Sequence, residues 1–470
     1  LTIHFSDTLT RADVKRHIPH VFTLPAGMGR VKIHLHYDPA QAGDARNMLT
    51  LTVFDPHGFR GAGHRGGQDH VVEMAGDIAT PGYLPGPLPA GEWTVQIDTH
   101  MIGPDAPCDY TISVEYEAGE SSSIADPRQP VRFDSVINDV AGWYRGELHC
   151  HTRHSDGSWN VTDLVAAAHD MGLDFITLTD HNTVSPLPEM ASLSGNGLLT
   201  LGGMELTTFW GHAVCLGAGE WIDWRVDSAG QGMAAIAEEV YARGDIFIIA
   251  HPKSIGDPWC TGCRWVYPEM MPGTARFVEI WNGAWHGGRG EKTTNEEALT
   301  LWFGWLNQGL RLIATAGSDS HSLENYKRGP GFSTVYAPQL SRDGILAGIK
   351  AGHLYLSSGP SLTFTAQTED GANAMMGDVV PAGSGQIHLH ATWANVPSGA
   401  QLRLIGNAAP YARHLIEGNG EQSWHFPAQA DRWYVLEVRD AAGAMIAVTN
   451  PIYVGDWGSG TGDWGSGRRS

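Results

Sequence analysis

The chain has 470 residues, 42% hydrophobic and 17% charged, which describes a folded protein with room for two or three domains and a sizeable core. A formal net charge of −21 repels phosphate backbones on average and argues against a nucleic-acid binder that works by counterion release. Neither an apolar run of roughly eighteen residues nor a signal-peptide pattern occurs, so no membrane partner is expected. A cytoplasmic location is the default expectation, compatible with a leader removed ahead of residue 1.

Residues 1–118 hold stretches such as Val31 to Tyr37, Leu49 to Phe54 and Trp93 to Ile97, separated by Gly/Pro turns. Short strands at that spacing predict a β-sandwich, suited to interaction, support or partial cover of a site. Residues 119–134, with the run Gly119-Glu120-Ser121-Ser122-Ser123, read as a linker. Over residues 135–360 short apolar strands alternate with helical segments, the pattern of parallel β/α units. A helix is predicted over Thr162 to Met171, ended by Gly172. Strands are predicted at Arg145 to His151, Phe175 to Thr179, Leu198 to Leu201, His212 to Leu216, Ile246 to Ala250, Phe277 to Trp281 and Leu312 to Ala316. Residues 361–454 return to β character, with Leu362 to Thr365, Ile387 to Ala391 and Trp433 to Val438, and predict a second β-sandwich. The tail, residues 455–470, repeats Gly-Asp-Trp-Gly-Ser-Gly and carries no evident chemistry.

The densest cluster of functional side chains is Glu147-Leu148-His149-Cys150-His151-Thr152-Arg153-His154-Ser155-Asp156-Gly157. In a strand, period-two alternation puts His149 and His151 on one face, half of a metal site. The same His-x-His spacing recurs at His34/His36 and His388/His390 with no acid close behind, and there it reads as ordinary strand sequence. What separates the first copy is its company at other strand ends: Asp180-His181, Glu205, His212, His251 and Asp319-Ser320-His321. If the strands share a barrel, these ends gather on one rim. The candidate ligands are then His149, His151, Asp156, His181, Glu205, His212, His251, Asp319 and His321. One or two of them alone would pass for core or surface histidines. Imidazoles and carboxylates without a thiolate suit two or three borderline divalent ions, such as zinc, manganese or iron, better than calcium. Of the five cysteines only Cys260 and Cys263 are close, and they read as a local thiol pair or a loop disulfide.

The order His-x-His, Asp, Thr-Asp-His, Glu, His, His-Pro and Asp-x-His resembles the PHP (polymerase and histidinol phosphatase) family of metal-dependent phosphoesterases, over roughly residues 143 to 360. Gly203-Met204-Glu205, Trp210-Gly211-His212, the Cys260/Cys263 loop and Thr449-Asn450-Pro451-Ile452-Tyr453 look like its CehA/McbA-type subgroup of carbaryl hydrolases. The resemblance implies a distorted (β/α)7 barrel, here flanked by N-terminal and C-terminal β-sandwich domains. It implies one ion on His149, His151, Glu205 and Asp319, a second on Asp156, His181 and His321, and a third on Glu205, His212 and His251, with Glu205 bridging. Asp180 would orient a ligand instead of binding metal.

Ions so placed would activate water for attack on an ester and need no serine or cysteine nucleophile. A cationic or acidic group must still help the leaving group depart, and Arg153, His154 and Lys253 are the candidates near ligands in sequence. Arginine and lysine are otherwise sparse there (Arg145, Arg264, Arg289), whereas aromatics abound. Trp210, Trp281 and Trp285 are candidate pocket walls, which favours an aryl phosphodiester or triester over a highly charged monoester. An alternative is a carbamate or carboxyl ester hydrolase on the same centre; a different class is a non-catalytic binding protein that uses metal for stability. The expected partner is a small-molecule ester, and oligomeric state is not legible.

Overall fold

The computed structural model describes residues 2–104, 106–119, 126–226, 232–286, 294–383, 385–430 and 432–457. Residues 120–125 of the expected linker and 458–470 of the repeated tail lie outside them.

Two four-stranded antiparallel sheets make up the N-terminal region. One runs Thr2–Leu9, Cys108–Ala118, Met28–Asp38, Asp69–Ala75; the other runs His17–Leu24, Gly91–Met101, Met48–Asp55, Gly58–Gly63. Alternation along Met28–Asp38 buries Val31, Ile33, Leu35 and Tyr37 and turns His34 and His36 away from the core. The buried set packs against Leu49, Leu51, Val53, Trp93, Val95 and Ile97 of the other sheet in one cluster.

In the central region Gly142–Glu147, Phe175–Thr177 and Leu199–Leu201 pair in parallel. A five-stranded sheet comes next in the chain, in the order Gly203–Thr207, His212–Leu216, Ile246–Ile249, Phe277–Asn282, Ile313–Gly317. Its last three strands are parallel, while the first two form an antiparallel hairpin that also meets Ile246–Ile249 antiparallel. These strands are buried along almost their whole length because both faces are covered. Single bridges at Cys150–Ser320 and His181–Glu205 join the two sheets, so the pairings lead from one into the other and back. Val161–Asp170 forms the first helix, with the Asp163 carboxylate accepting from the Asn160 amide and Val161, Leu164, Ala167 and Ala168 buried. Gly172, at φ 67°, takes the left-handed turn that ends it.

The structure departs from the expected elements in three places. The first strand stops at Glu147, ahead of His149 and His151, because the Glu147 carboxylate accepts from the amides of His149 and Ser318 (both 2.9 Å) and draws the chain out of the ladder. Glu205 lies inside a strand, Gly203–Thr207, that belongs to a hairpin and not to a β/α unit. The boundary expected at residue 360 is crossed by a sheet: Leu354–Ser357 pairs with Phe332–Ala337 on one side and Met445–Thr449 on the other. That sheet continues through Arg432–Arg439, Gln386–Gly406 and Ser361–Thr368, which enclose a core of Phe364, Leu389, Leu402 and Leu436. No helix among the described residues is long and apolar enough to cross a membrane.

Candidate metal centre

The 148–151 segment runs beside 317–320, with the Asp319 amide on the His149 carbonyl (2.8 Å) and the His151 amide on the Ser320 carbonyl (2.9 Å). Asp180 fixes the loop beyond His151: its carboxylate accepts from the amide and hydroxyl of Thr152 (2.8 and 2.6 Å) and of Ser155 (3.1 and 2.6 Å). Burial pushes the Asp180 carboxyl up to about 6 against those bonds. His251 and Asp319 hold left-handed backbones, φ 27° and 50°, uncommon for such residues and found where a site dictates direction.

All nine expected ligands converge. Around Glu205 Oε2 stand His149 Nε2 at 3.3 Å and His151 Nε2 at 3.4 Å; Asp319 Oδ1 lies 3.5 and 3.0 Å from the same two nitrogens. Glu205 Oε1 faces His212 Nδ1 at 3.1 Å and His251 Nε2 at 3.2 Å, and His181 Nδ1 is 2.8 Å from Oε2. Asp156 Oδ1 sits 3.5 Å from His181 Nε2 and 3.2 Å from His321 Nε2. The converging groups overlap: His151 joins Asp156, His181 and His321, and His149 joins both His151 with Glu205 and His251 with Asp319. Ligand atoms held about 2.0–2.2 Å from a shared tetrahedral ion stand roughly 3.3–3.6 Å apart, close to the spacings found here. His149 Nε2, His151 Nε2 and Glu205 Oε2 are buried and have no hydrogen-bond partner, which fits an ion as the missing partner.

Without metal, protons hold the cluster together. Burial opposes ionisation of Glu205, yet His181, His149 and His212 hold its carboxyl well below the usual range. Burial likewise depresses His251 and His321, but Glu205 raises the former to about 9 and Asp156 the latter to about 10. Burial, with His181 and His321 nearby, takes His151 down to about 3.

A carboxylate that sequence reasoning missed supports the ligands. Glu279 takes His149 Nδ1 (3.1 Å) on Oε1 and the His251 amide and Asn282 Nδ2 (both 3.0 Å) on Oε2. Asn282 Nδ2 also reaches Asp319 Oδ2 at 3.2 Å. The signal was there: an acid inside the apolar strand Phe277-Val278-Glu279-Ile280-Trp281 must serve a partner. Thr207 Oγ1 meets His181 Nδ1, and the Cys263 carbonyl meets His251 Nδ1 at 3.0 Å, so the ring orientations are fixed from behind. Cys260 and Cys263 are disulfide-bonded, and Gly262 between them lies against the Thr208 carbonyl and His212 Nε2.

The remaining candidates divide. Arg153 is exposed on the ligand loop, and Lys253 is half-buried two residues after His251. His154 turns away, its Nδ1 on Ser185 Oγ at 2.7 Å at the seam with the N-terminal region. Trp210 is half-buried beneath the Lys15 ammonium at 5.8 Å. Trp281 and Trp285 do not wall a pocket: both are buried, packed edge to face at 5.0 Å, their Nε1 groups donating to the Gly283 carbonyl and to Glu296. Both belong to the buried core of the central region. Arg289 lies outside the described residues.

Imidazoles and acids gathered where the two joined strand sets meet form a candidate centre for divalent metal ions. Residues 147–226 match the PHP domain family. Among characterised proteins it is 39% identical over 83 residues to an error-prone DNA polymerase of Cutibacterium acnes, covering 17% of this chain and 7% of that protein. It is 34% identical over 65 residues to a 5'-3' exoribonuclease of Haemophilus influenzae, covering 14% and 24%. The chain thus spans under a quarter of these relatives' length. A two-domain protein of Bacteroides vulgatus ATCC 8482, containing a predicted PHP-like metal-dependent phosphoesterase, is similar at 17% identity and TM-score 0.36, covering 70% of this chain and 100% of that one.

Proposed function

We propose that the chain is a metal-dependent phosphoesterase acting on a small-molecule diester or triester, with the strand circuit read as a distorted (β/α)7 barrel. The carrying observation is the trio of buried, unbonded ligand atoms, His149 Nε2, His151 Nε2 and Glu205 Oε2, set at coordination spacing. Two or three zinc, manganese or iron ions would be held by His149, His151, Glu205 and Asp319, by Asp156, His181 and His321, and by Glu205, His212 and His251. Such ions supply an acidified water and polarise the ester. Glu205 serves two sets, one oxygen to each, and Glu279, Thr207 and the Cys263 carbonyl keep the rings aimed.

Asp156, Asp319 and His321 retain partial exposure and mark the side from which substrate enters. Arg153, exposed on the same loop, is the cation placed to meet a phosphoryl or leaving oxygen. Few cations at this mouth favour a diester or triester over a dianionic monoester. Aryl preference rests on Trp210 alone. A net charge of −21 disfavours a polynucleotide substrate. The carbamate reading is carried by the Trp210-Gly211-His212 motif and the Cys260/Cys263 loop, both of which border His212 or His251.

The test is metal content per chain together with turnover of 4-nitrophenyl mono-, di- and triesters of phosphate and an aryl carbamate. Diester or triester turnover that is lost on chelation and restored by metal is expected. A fully loaded chain that cleaves none of them would favour the non-catalytic binding protein.

A further inference from the structure

Two histidines of the N-terminal region, one against a candidate ligand and one behind it, have no assigned role. His64 comes directly after the Gly58–Gly63 strand, and its ring lies 4.6 Å, centroid to centroid, from that of His181. His100, from Gly91–Met101, stands edge-on behind it at 4.8 Å and is almost fully buried. Thr50 Oγ1 holds His100 Nε2 at 3.0 Å, Phe209 packs edge-on at 5.1 Å, and Thr261 Oγ1 donates to the His100 carbonyl at 2.8 Å. The same region is clamped to the rim elsewhere: Lys15 pairs with Asp257 at 2.7 Å, Thr183 Oγ1 donates to the Gly82 carbonyl at 2.7 Å, and the Gly82 amide donates to Ser185 Oγ at 3.0 Å. His64 is therefore a fixed part of the centre.

Nδ1 of His64 and Nδ1 of His100 are both buried with no hydrogen-bond partner. Buried polar atoms are almost always paired, and those that are not point to a missing ligand. The titratable groups that act on His64 are His181, His100, Asp156 and His212, three of them candidate ligands. Yet His64 belongs to none of the converging ligand groups among the described residues. Its ring thus borders the candidate ligand His181 without joining the ligand set.

We propose that His64, delivered by the N-terminal β-region, is a substrate-binding residue that hydrogen-bonds an oxygen of the bound phosphate ester, with His100 as the positioning residue behind it. This rests on the phosphoesterase reading. It gives the N-terminal region a direct part in recognition: the pocket is incomplete without a second unit of the same chain, and the ester must fit between His64 and the mouth formed by Asp156 and His321.

The experiment uses the full chain loaded with manganese or zinc and inorganic phosphate as probe, with affinity by calorimetry and metal by elemental analysis. His64→Ala is expected to keep the wild-type metal count and to weaken phosphate binding about tenfold, the size of one lost hydrogen bond to a charged group. For the best diester KM should rise more than kcat falls. His64→Gln, which keeps a donor, should recover part of the loss and also serves if the alanine variant does not fold. His100→Ala should weaken phosphate about threefold through His64. Loss of an ion in His64→Ala would make His64 a ligand and overturn the proposal, as would unchanged phosphate affinity. A wild type that turns over no ester would defeat the functional reading, while its phosphate affinity against that of His64→Ala still decides the role of His64.

Discussion

At the scale of single residues, Glu205 holds the most consequential position. Its carboxylate is fully buried, with one oxygen toward His149 and His151 and the other toward His212 and His251. Glu205→Ala should lower the metal count more than any other single ligand change and reduce turnover at least about a hundredfold; full metal retention by elemental analysis would contradict the bridging role. Protons and ions compete here, which gives a pH signature. In metal-free protein His251 and His321 are raised to about 9 and about 10 from 6.5, so their contribution to stability is full below about 6.5 and is lost as pH rises through those values. The melting temperature of chelated protein should therefore fall between about pH 7 and 10, and metal should abolish that fall; the same slope with and without metal would count against ligation. The nine candidate ligands were legible because imidazoles and acids recurred beside predicted strands, and the structure brings all nine together. Glu279 was overlooked, since an acid inside an apolar strand signals a buried partner without naming which one, and His64 was missed because its neighbours come from another region of the chain.

Elements bear on the site through where they stop and turn. The parallel β/α reading found most strands of the central region to within a residue or two, because short apolar runs bounded by turns are a strong signal. It missed the hairpin of Gly203–Thr207 and His212–Leu216, whose connection, residues 208–211, is short enough only for antiparallel neighbours. That hairpin sets Glu205 and His212 side by side across seven residues, the reach that a β/α unit would have denied. The disulfide loop braces it. Gly262 holds φ +80°, and a Cβ there would come 1.9 Å from the Thr208 carbonyl and 3.3 Å from His212 Nε2. Gly262→Ala should cost about 1–3 kcal/mol and weaken metal binding at the His212 side; a melting curve and metal titration indistinguishable from wild type would remove the loop from the site's support.

Across the whole molecule, three regions that read as separate in sequence share structural ties. Composition and alternation sufficed to expect β-rich ends around a β/α centre; sheet continuity was not legible, because pairing between distant strands leaves no periodicity. Asn450 shows the coupling: its side chain takes the Ala314 amide on Oδ1 (2.8 Å) and donates to the Ala314 and Leu354 carbonyls (2.9 and 3.1 Å), fully buried. It thereby fixes Ile313–Gly317, the strand that leads to Asp319. Asn450→Ala should destabilise the protein by about 1–3 kcal/mol, leaving backbone groups unpaired, and lower metal affinity from a distance. A lower melting temperature with unchanged metal affinity would confine Asn450 to stability. The most direct measurement is anomalous X-ray diffraction from crystals of the metal-loaded protein. Peaks between His149, His151, Glu205 and Asp319 and beside Asp156, His181 and His321, each within about 2.0–2.3 Å of its ligand atoms, are predicted. A loaded, active crystal with its ions elsewhere and these side chains bonded only to one another would contradict it.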